Sequence, residues 1–175
     1  PRALAAMRAT GVTRCLPTLI TSSFDRFAAC AAAILACPDP AIAGIHMEGP
    51  YLSPFDGPRG AHPAHHVSAA SVDDFRRRQD AAGGRIRLVT LAPEAAGAIA
   101  LIDHLVRADV RVAIGHTAAS GAQIADAVSA GATLSTHLGN GCAAMQPRHD
   151  NVIWAQAATD RLHATFIADG HHLPA

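Results

Sequence analysis

The feature of this sequence that most constrains its fold is a repeated alternation between short apolar runs and longer alanine-rich stretches. The short runs are apolar or β-branched and end in polar or Gly/Pro turns, as buried parallel strands do; they cover residues 12–20, 41–47, 85–91, 110–114, 132–135 and 163–168. The stretches between them have helical spacing and cover residues 22–37, 66–82, 95–108, 118–130 and 148–160. Because no hairpin signal separates the runs, the order predicts an α/β fold with a parallel sheet.

Polar residues at the ends of the predicted strands distinguish between two architectures for such a chain. An open doubly wound sheet concentrates its functional residues at one switch point, whereas a closed barrel gathers them from the C-terminal ends of many strands. Nearly every predicted strand is followed by such residues: Glu48, Glu94, His116, His137, and Asp169 with His172. This distribution favours a (β/α)8 TIM barrel, of which this chain would supply about six of the eight strands.

No linker or low-complexity tract interrupts the pattern, so we expect a single domain over residues 1–175. Gly83 and Gly131 follow predicted helices in the position of C-terminal capping glycines. Within the stretch 95–108, Ile99, Ile102 and Val106 recur at i, i+3 and i+7, which predicts the helix face that packs on the sheet.

Charge and cysteine content argue against several classes of partner. The chain carries 14 basic and 14 acidic residues, with none of the clustered positive charge that nucleic-acid binding needs, so we expect no nucleic-acid partner. The apolar stretch 27–37 is too short to span a bilayer, and we expect no membrane association. The cysteines form no metal-binding or disulfide spacing and predict reduced thiols in a cytoplasmic protein: Cys15, Cys30, Cys37 and Cys142.

Three of the residues at strand ends suggest a metal site. Glu48, His116 and His137 provide a carboxylate and two imidazoles, a set that suits a divalent catalytic metal with one position left open for water. A single histidine at a strand end is more often a structural residue, but all three occupy equivalent positions in successive units. His46 lies two residues before Glu48 on the same strand face, either to orient it or as a packed histidine. Phosphate-loop, dinucleotide and serine-hydrolase motifs are absent.

Two neighbouring motifs in this chain are specific enough to compare with a known family: HMEGPYL at 46–52 and GAHP at 60–63. They resemble the signature H-x-E-G-P-[FY]-L and G-A-H-P of the N-acetylglucosamine-6-phosphate deacetylases of the amidohydrolase superfamily. Supporting runs follow the family's order: LPTLIT at 16–21, VTLAPE at 89–94, GHT at 115–117, THL at 136–138 and IADGHH at 167–172. The resemblance implies a partial (β/α)8 TIM barrel of the metal-dependent amidohydrolase type, which removes the acetyl group of N-acetylglucosamine 6-phosphate.

The resemblance also implies a catalytic centre. Its metal ligands would be Glu48, His116 and His137, the same three residues that the strand-end argument selects. The metal would be divalent, with zinc as the first expectation and iron, manganese or cobalt as alternatives that suit the same donors. His62 would contact the substrate and polarise its scissile acetyl carbonyl.

Further residues would bind the amino sugar phosphate. His172 would contact the substrate, and Asn140 with Gly141 would border it, although these two also form an ordinary turn signal. Arg148 would reach across a homodimer interface to the substrate phosphate in the neighbouring active site. Two departures from the family pattern leave the sugar preference and the phosphate contact open: the sequence Gly139-Asn140-Gly141-Cys142 lacks the family's aromatic residue, and His149-Asp150-Asn151 follows Arg148.

Two elements of the family barrel fall outside this sequence. The family's H-x-H strand would precede residue 1 and its general acid/base aspartate would follow residue 175, so we expect a catalytic barrel domain truncated at both ends. Two other functions remain open. One is a different amidohydrolase, dihydroorotase-like or dipeptidase-like, although the chain has no lysine for the modified bridging ligand of such enzymes. The other is a noncatalytic sugar-phosphate binding protein.

Overall fold

The computed structural model describes residues 2–173, which form six strands, six α-helices and one 3-10 turn. The strands are β1 (Thr18–Ile20), β2 (Ile45–Glu48), β3 (Ile86–Leu91), β4 (Arg111–Ile114), β5 (Leu134–Ser135) and β6 (His163–Ala164). The helices are α1 (Arg2–Ala9), α2 (Phe24–Leu35), α3 (Val72–Ala81), α4 (Ala98–Arg107), α5 (Gly121–Ser129) and α6 (Val152–Ala157), with the 3-10 turn at Ala64–His66.

All six strands belong to one sheet in the order β1-β2-β3-β4-β5-β6, and every neighbouring pair is parallel. The register aligns the strand ends, since Ile20 lies opposite Glu48, which lies opposite Thr90 on the next strand. Ile114 in turn lies opposite Ser135. The predicted α/β class and parallel sheet are confirmed, and the carboxyl ends of the strands meet along one edge.

The N-terminal part of the chain departs from the predicted pattern. The expected first strand at 12–20 is reduced to β1, because Pro17 has no N–H to donate to a ladder; Cys15 keeps only an isolated bridge to Ile42. Helix α1 was not predicted from the sequence. Its eight residues are all strong helix formers.

Capping residues explain why several helices are shorter than predicted. Ser71 accepts a hydrogen bond from the N–H of Asp74, so α3 begins after Ser71 rather than at residue 66. Asn151 caps α6 in the same way through the N–H groups of Ile153 and Trp154, which sets its start after the predicted 148. The C-terminal glycines are confirmed, since Gly83 and Gly131 both have positive φ directly after a helix cap.

The core lies between the sheet and the helices, and helix α4 shows which face is buried. Its fully buried residues follow an i, i+3, i+4, i+7 pattern: Ala98, Leu101, Ile102 and Leu105. The predicted face was therefore wrong for two of its three residues, because Ile99 and Val106 are 41% and 43% exposed.

This difference gives a paired test of the core. Leu101→Ala is expected to lower the free energy of unfolding by about 2–5 kcal/mol, because it deletes a fully buried side chain and leaves a cavity. Ile99→Ala, on the exposed face of the same helix, is expected to change it by about 0.5 kcal/mol or less. Urea unfolding of both variants measures the contrast, and equal losses would contradict the buried face described above.

The helices and the cysteines bear on two further expectations from the sequence. None of the helices within residues 2–173 has the length and apolar character needed to cross a bilayer. All four cysteines are free and partly buried.

Candidate metal centre

Three side chains converge at the carboxyl edge of the sheet. Glu48 is the last residue of β2, and His116 and His137 each lie two residues beyond the ends of β4 and β5. The Glu48 Oε1 atom is 2.8 Å from His116 Nε2 and 3.0 Å from His137 Nε2, and the two Nε2 atoms are 3.1 Å apart. The structure thus brings together the three residues that the strand-end pattern singled out, and they form a group able to hold one metal ion.

The chemistry and spacing of the three donor atoms suit a shared metal ion better than direct contact with one another. His116 Nδ1 lies 3.0 Å from the carbonyl oxygen of Pro58, which can only accept, so Nδ1 carries a proton and Nε2 is the ring nitrogen that can bind a metal. Two imidazole nitrogens and a carboxylate at such separations repel unless a proton or cation lies between them. Ligands at about 2.0–2.2 Å from a tetrahedral zinc stand about 3.3–3.6 Å apart, so the observed separations of 2.8–3.1 Å need to widen only by a few tenths of an ångström to admit a metal.

Both histidines of the group have an unusual backbone conformation. The φ angles of His116 and His137 are 51° and 34°, in the left-handed region that side chains other than glycine rarely adopt. Such a residue costs about 1–3 kcal/mol and persists only where its surroundings hold it, which is common at functional sites. Here the His116 carbonyl accepts from the N–H of Ser53 at 3.0 Å, and the His137 N–H donates to Thr165 Oγ1 at 2.9 Å.

The ring of His116 is enclosed by two glycines. A Cβ atom on Gly141 would lie 2.8 Å from His116 Nδ1, and one on Gly60 would lie 3.3 Å from His116 Cε1. Both glycines have a φ of +58°. A side chain at Gly141 would therefore displace the histidine, which gives this residue a close-packing role beside the metal group.

His62 turns a third nitrogen toward the same point. It is buried, and its Nε2 lies 3.2 Å from His116 Nε2 and 4.0 Å from Glu48 Oε1. Its Nδ1 lies 3.4 Å from the backbone N of Thr21 and 2.8 Å from Thr21 Oγ1. Because a backbone N–H can only donate, Nδ1 is the acceptor and the neutral ring carries its proton on Nε2.

Burial and charge set the protonation of these groups. Burial, with the nearby positive charge of His116, lowers the pKa of His62 to about 4, so its ring is neutral near pH 7. Burial opposes ionisation of Glu48, but in the metal-free site hydrogen bonds from His116 and His137 outweigh it and hold the pKa of Glu48 well below its usual range. The centre therefore offers a carboxylate.

His46, on the same strand as Glu48, belongs to a chain of largely buried hydrogen bonds. Its Nδ1 is 3.1 Å from Thr18 Oγ1 and its Nε2 is 2.7 Å from Thr90 Oγ1, which in turn is 2.7 Å from Thr136 Oγ1. Burial lowers the pKa of His46 to about 4. This chain links four strands or their ends, so His46 is a hydrogen-bonded interior residue.

The expected substrate residues are only partly assembled. Asn140 Nδ2 donates to the backbone carbonyl of His172 at 3.3 Å, and His172 Nδ1 is 2.8 Å from Asp169 Oδ2. The side chain of Arg148 is exposed and makes no hydrogen bond within residues 2–173.

Two further residues that support the centre received no role from the sequence. Thr21 contacts His62, and Glu94 contacts the turn that carries His116. Thr21 directly follows β1, so the rule that selected the metal group would also have found it had hydroxyls been included with carboxylates and imidazoles. Glu94 was recognised at the end of a predicted strand, but the residues that it contacts, Thr117 and Ala118, follow the next strand and could not be paired with it from the sequence.

A parallel α/β sheet with a carboxylate and two imidazoles at its carboxyl edge defines the fold as part of a (β/α)8 barrel of the amidohydrolase type. Comparisons with known proteins narrow this class. The chain is 36% identical over 173 residues to N-acetylgalactosamine-6-phosphate deacetylase of Shewanella sp. (strain ANA-3), covering 96% of the chain and 42% of that relative. It is 40% identical over 129 residues to N-acetylglucosamine-6-phosphate deacetylase of Bacillus subtilis (strain 168), covering 74% of the chain and 32% of that relative.

A solved structure extends the similarity to the fold. A mutant of N-acetyl-D-glucosamine-6-phosphate deacetylase from Mycobacterium smegmatis, in complex with N-acetyl-D-glucosamine-6-phosphate, matches with a TM-score of 0.85 and 36% identity. The match covers 98% of this chain and 45% of that one. No family model matches the chain. The chain belongs to the N-acetylglucosamine-6-phosphate deacetylase family and spans less than half the length of these relatives.

Proposed function

We propose that the protein carrying this chain hydrolyses the N-acetyl group of an N-acetyl amino sugar 6-phosphate, N-acetylglucosamine 6-phosphate, to acetate and the amino sugar phosphate. The observation that carries this proposal is the convergence of Glu48, His116 and His137, with the Nε2 atom of His62 beside them. The named activities of the relatives support it, and one solved relative holds N-acetyl-D-glucosamine-6-phosphate.

Glu48, His116 and His137 are the proposed ligands of a divalent metal. The family implies such a metal, and zinc is our proposal, with iron, manganese and cobalt suited to the same donors. When bound there, the metal would supply a water of lowered pKa and polarise the acetyl carbonyl. The carboxylate of Glu48 offsets part of the metal charge, and the two neutral imidazoles leave the site a net positive charge.

His62 is the proposed catalytic residue of this chain. Its proton on Nε2 points into the group, where it can donate a hydrogen bond to the acetyl oxygen as negative charge develops there. Because the ring is buried, neutral and already oriented, neither the side chain nor solvent has to reorganise much for this hydrogen bond to form. The general acid/base aspartate belongs, in this proposal, to sequence outside residues 1–175. Residues 1–175 are proposed to form one catalytic barrel domain that is truncated at both ends. The greater length of the relatives supports both points.

Asn140, Gly141, His172 and Arg148 are the proposed substrate contacts. The hydrogen bond from Asn140 to the His172 backbone places two of them side by side near the carboxyl edge of the sheet. Arg148 is proposed to reach the phosphate bound in the neighbouring protomer of a homodimer, and its exposed guanidinium is suited to a bidentate phosphate contact. A cytoplasmic location is also proposed, supported by the four free cysteines.

Arg148→Ala gives a test of the phosphate contact. We expect the KM for N-acetylglucosamine 6-phosphate to rise about 10–100-fold, because a charge-assisted contact of about 1.5–3 kcal/mol is lost. The KM for unphosphorylated N-acetylglucosamine should change less than about twofold. Steady-state kinetics on both substrates measures the difference, with Arg161→Ala as a matched arginine control. Equal effects on both substrates would remove the phosphate assignment.

Acetate release by the full-length protein tests the function itself. The substrates would be the 6-phosphates of N-acetylglucosamine and N-acetylgalactosamine, since relatives with both activities match the chain. Metal content is determined on the same sample before and after chelation. Activity that is lost on chelation and restored by zinc supports the proposal. Bound metal without turnover on either sugar would point to a different amide, and no metal and no turnover to a noncatalytic binding protein.

A further inference from the structure

Both carboxylate oxygens of Glu94 are used on one short turn, the turn that carries His116. Glu94 lies three residues after β3, and Thr117 and Ala118 directly follow His116 beyond the end of β4. Glu94 Oε2 accepts from Thr117 Oγ1 at 2.5 Å, and Glu94 Oε1 accepts from the backbone N–H of Ala118 at 2.7 Å. Thr117 is buried and also accepts from the N–H of Ala119 at 2.9 Å. The Glu94 side chain thus connects two consecutive residues of this turn to the segment that follows the neighbouring strand β3.

Helix capping does not account for these bonds. The first turn of α5 is already satisfied, because Ser120 accepts from the N–H of Gln123 and the Gln123 side chain accepts from the N–H of Ser120. Ala118 lies outside that capping box, two residues before the cap. Within residues 2–173, Glu94 makes no ion pair either, so its carboxylate is not neutralised by a structural arginine.

The turn that Glu94 holds is strained. His116 has a φ of 51°, and a non-glycine residue keeps such a value only when neighbouring contacts on both sides fix it. On the N-terminal side the Gly115 N–H donates to the carbonyl of Leu91 at 3.2 Å. On the C-terminal side, the two bonds of Glu94 join a 3.3 Å bond from the Thr117 N–H to the carbonyl of Gly141.

We propose that Glu94 is a positioning residue that locks the His116 turn in its left-handed conformation and thereby sets the affinity of the metal site. This rests on the proposed metal role of His116. Glu94 does not touch the metal group; it acts through the backbone that aims the His116 ring. Loss of such a supporting partner typically weakens metal binding about 10–100-fold.

The test is a zinc titration of the metal-depleted full-length protein against a competing chelator. We expect Glu94→Ala to raise the zinc Kd about 10–100-fold. Thr117→Val, which removes the hydroxyl that bonds to Glu94 and to the Ala119 N–H, should raise it by a smaller factor. Thr117→Ser, which keeps the hydroxyl, should stay within about twofold of the parent. The matched control is Asp103→Ala, which removes a surface carboxylate paired with Arg107 on α4.

The outcomes separate this proposal from the proposed function. A Kd for Glu94→Ala within about twofold of the parent would overturn the positioning role even if the protein is a deacetylase. Weaker zinc binding in Glu94→Ala and Thr117→Val would support it even if no acetate is released. Should Glu94→Ala fail to fold without metal, as judged by circular dichroism, the comparison of Thr117→Val with Thr117→Ser decides, and equal Kd values for that pair would overturn the role.

Discussion

Replacement of Glu48 by alanine is expected to abolish deacetylation through loss of the metal. Glu48 is the only carboxylate in the group, and its Oε1 atom lies within 3.0 Å of both histidine nitrogens. Without it, two neutral imidazoles would have to hold a divalent cation with no compensating charge in a largely buried site. We expect the zinc Kd to rise more than about 100-fold, beyond the range for residues that only support a ligand, and acetate release to fall to background.

Metal analysis of the purified variant, with acetate release on the same sample, measures this effect. Glu48→Gln keeps the size of the side chain and removes only the charge, so we expect it to lose metal almost as fully. Asp103→Ala serves as the control for loss of a carboxylate elsewhere. A Glu48→Ala variant that retains stoichiometric metal with parental affinity would show that the metal is held by other groups, and our ligand set would then be wrong.

The strand-end rule could locate this centre because it depends on topology alone. In a parallel sheet the carboxyl ends of all strands lie along one edge, so Glu48, His116 and His137 share that edge whatever the details of the loops. The structure confirms this proximity. The roles of these residues stay proposals until they are measured.

The conformations within the centre could not be predicted, because they depend on contacts distant in sequence. The left-handed backbone at His116 is held by Ser53 and by Glu94, which come from two other units of the fold. The close approach of Gly141 to the His116 ring likewise needs the path of a later loop. No local pattern around residue 116 encodes these neighbours.

Helix α4 shows a different limit of sequence reasoning. Its apolar residues satisfy two overlapping stripes, one through Ile99 and Val106 and one through Leu101 and Leu105, because the helix is apolar over more than half of its circumference. Periodicity alone gives both stripes similar weight. Only the position of the sheet selects the second, which leaves Ile99 and Val106 partly exposed.

His62→Asn is expected to separate chemistry from metal binding. The Nε2 proton of His62 faces the group, and its orientation is fixed by the backbone N–H and hydroxyl of Thr21 on the other ring nitrogen. A donor that meets developing charge on the acetyl oxygen contributes mainly in the transition state, so its loss should lower kcat about 10²–10³-fold with a small change in KM. The shorter asparagine amide cannot reach the position of Nε2.

His62→Gln is the matched variant, because its amide nitrogen can occupy nearly the place of Nε2 and should restore part of kcat. Metal content decides between the two roles open to His62, since its Nε2 lies only 3.2 Å from the Nε2 of His116. If His62→Asn keeps its metal while kcat falls, the residue acts on the substrate carbonyl. If it loses metal as fully as Glu48→Ala does, His62 is a fourth ligand, and the carbonyl must then be polarised by the metal alone.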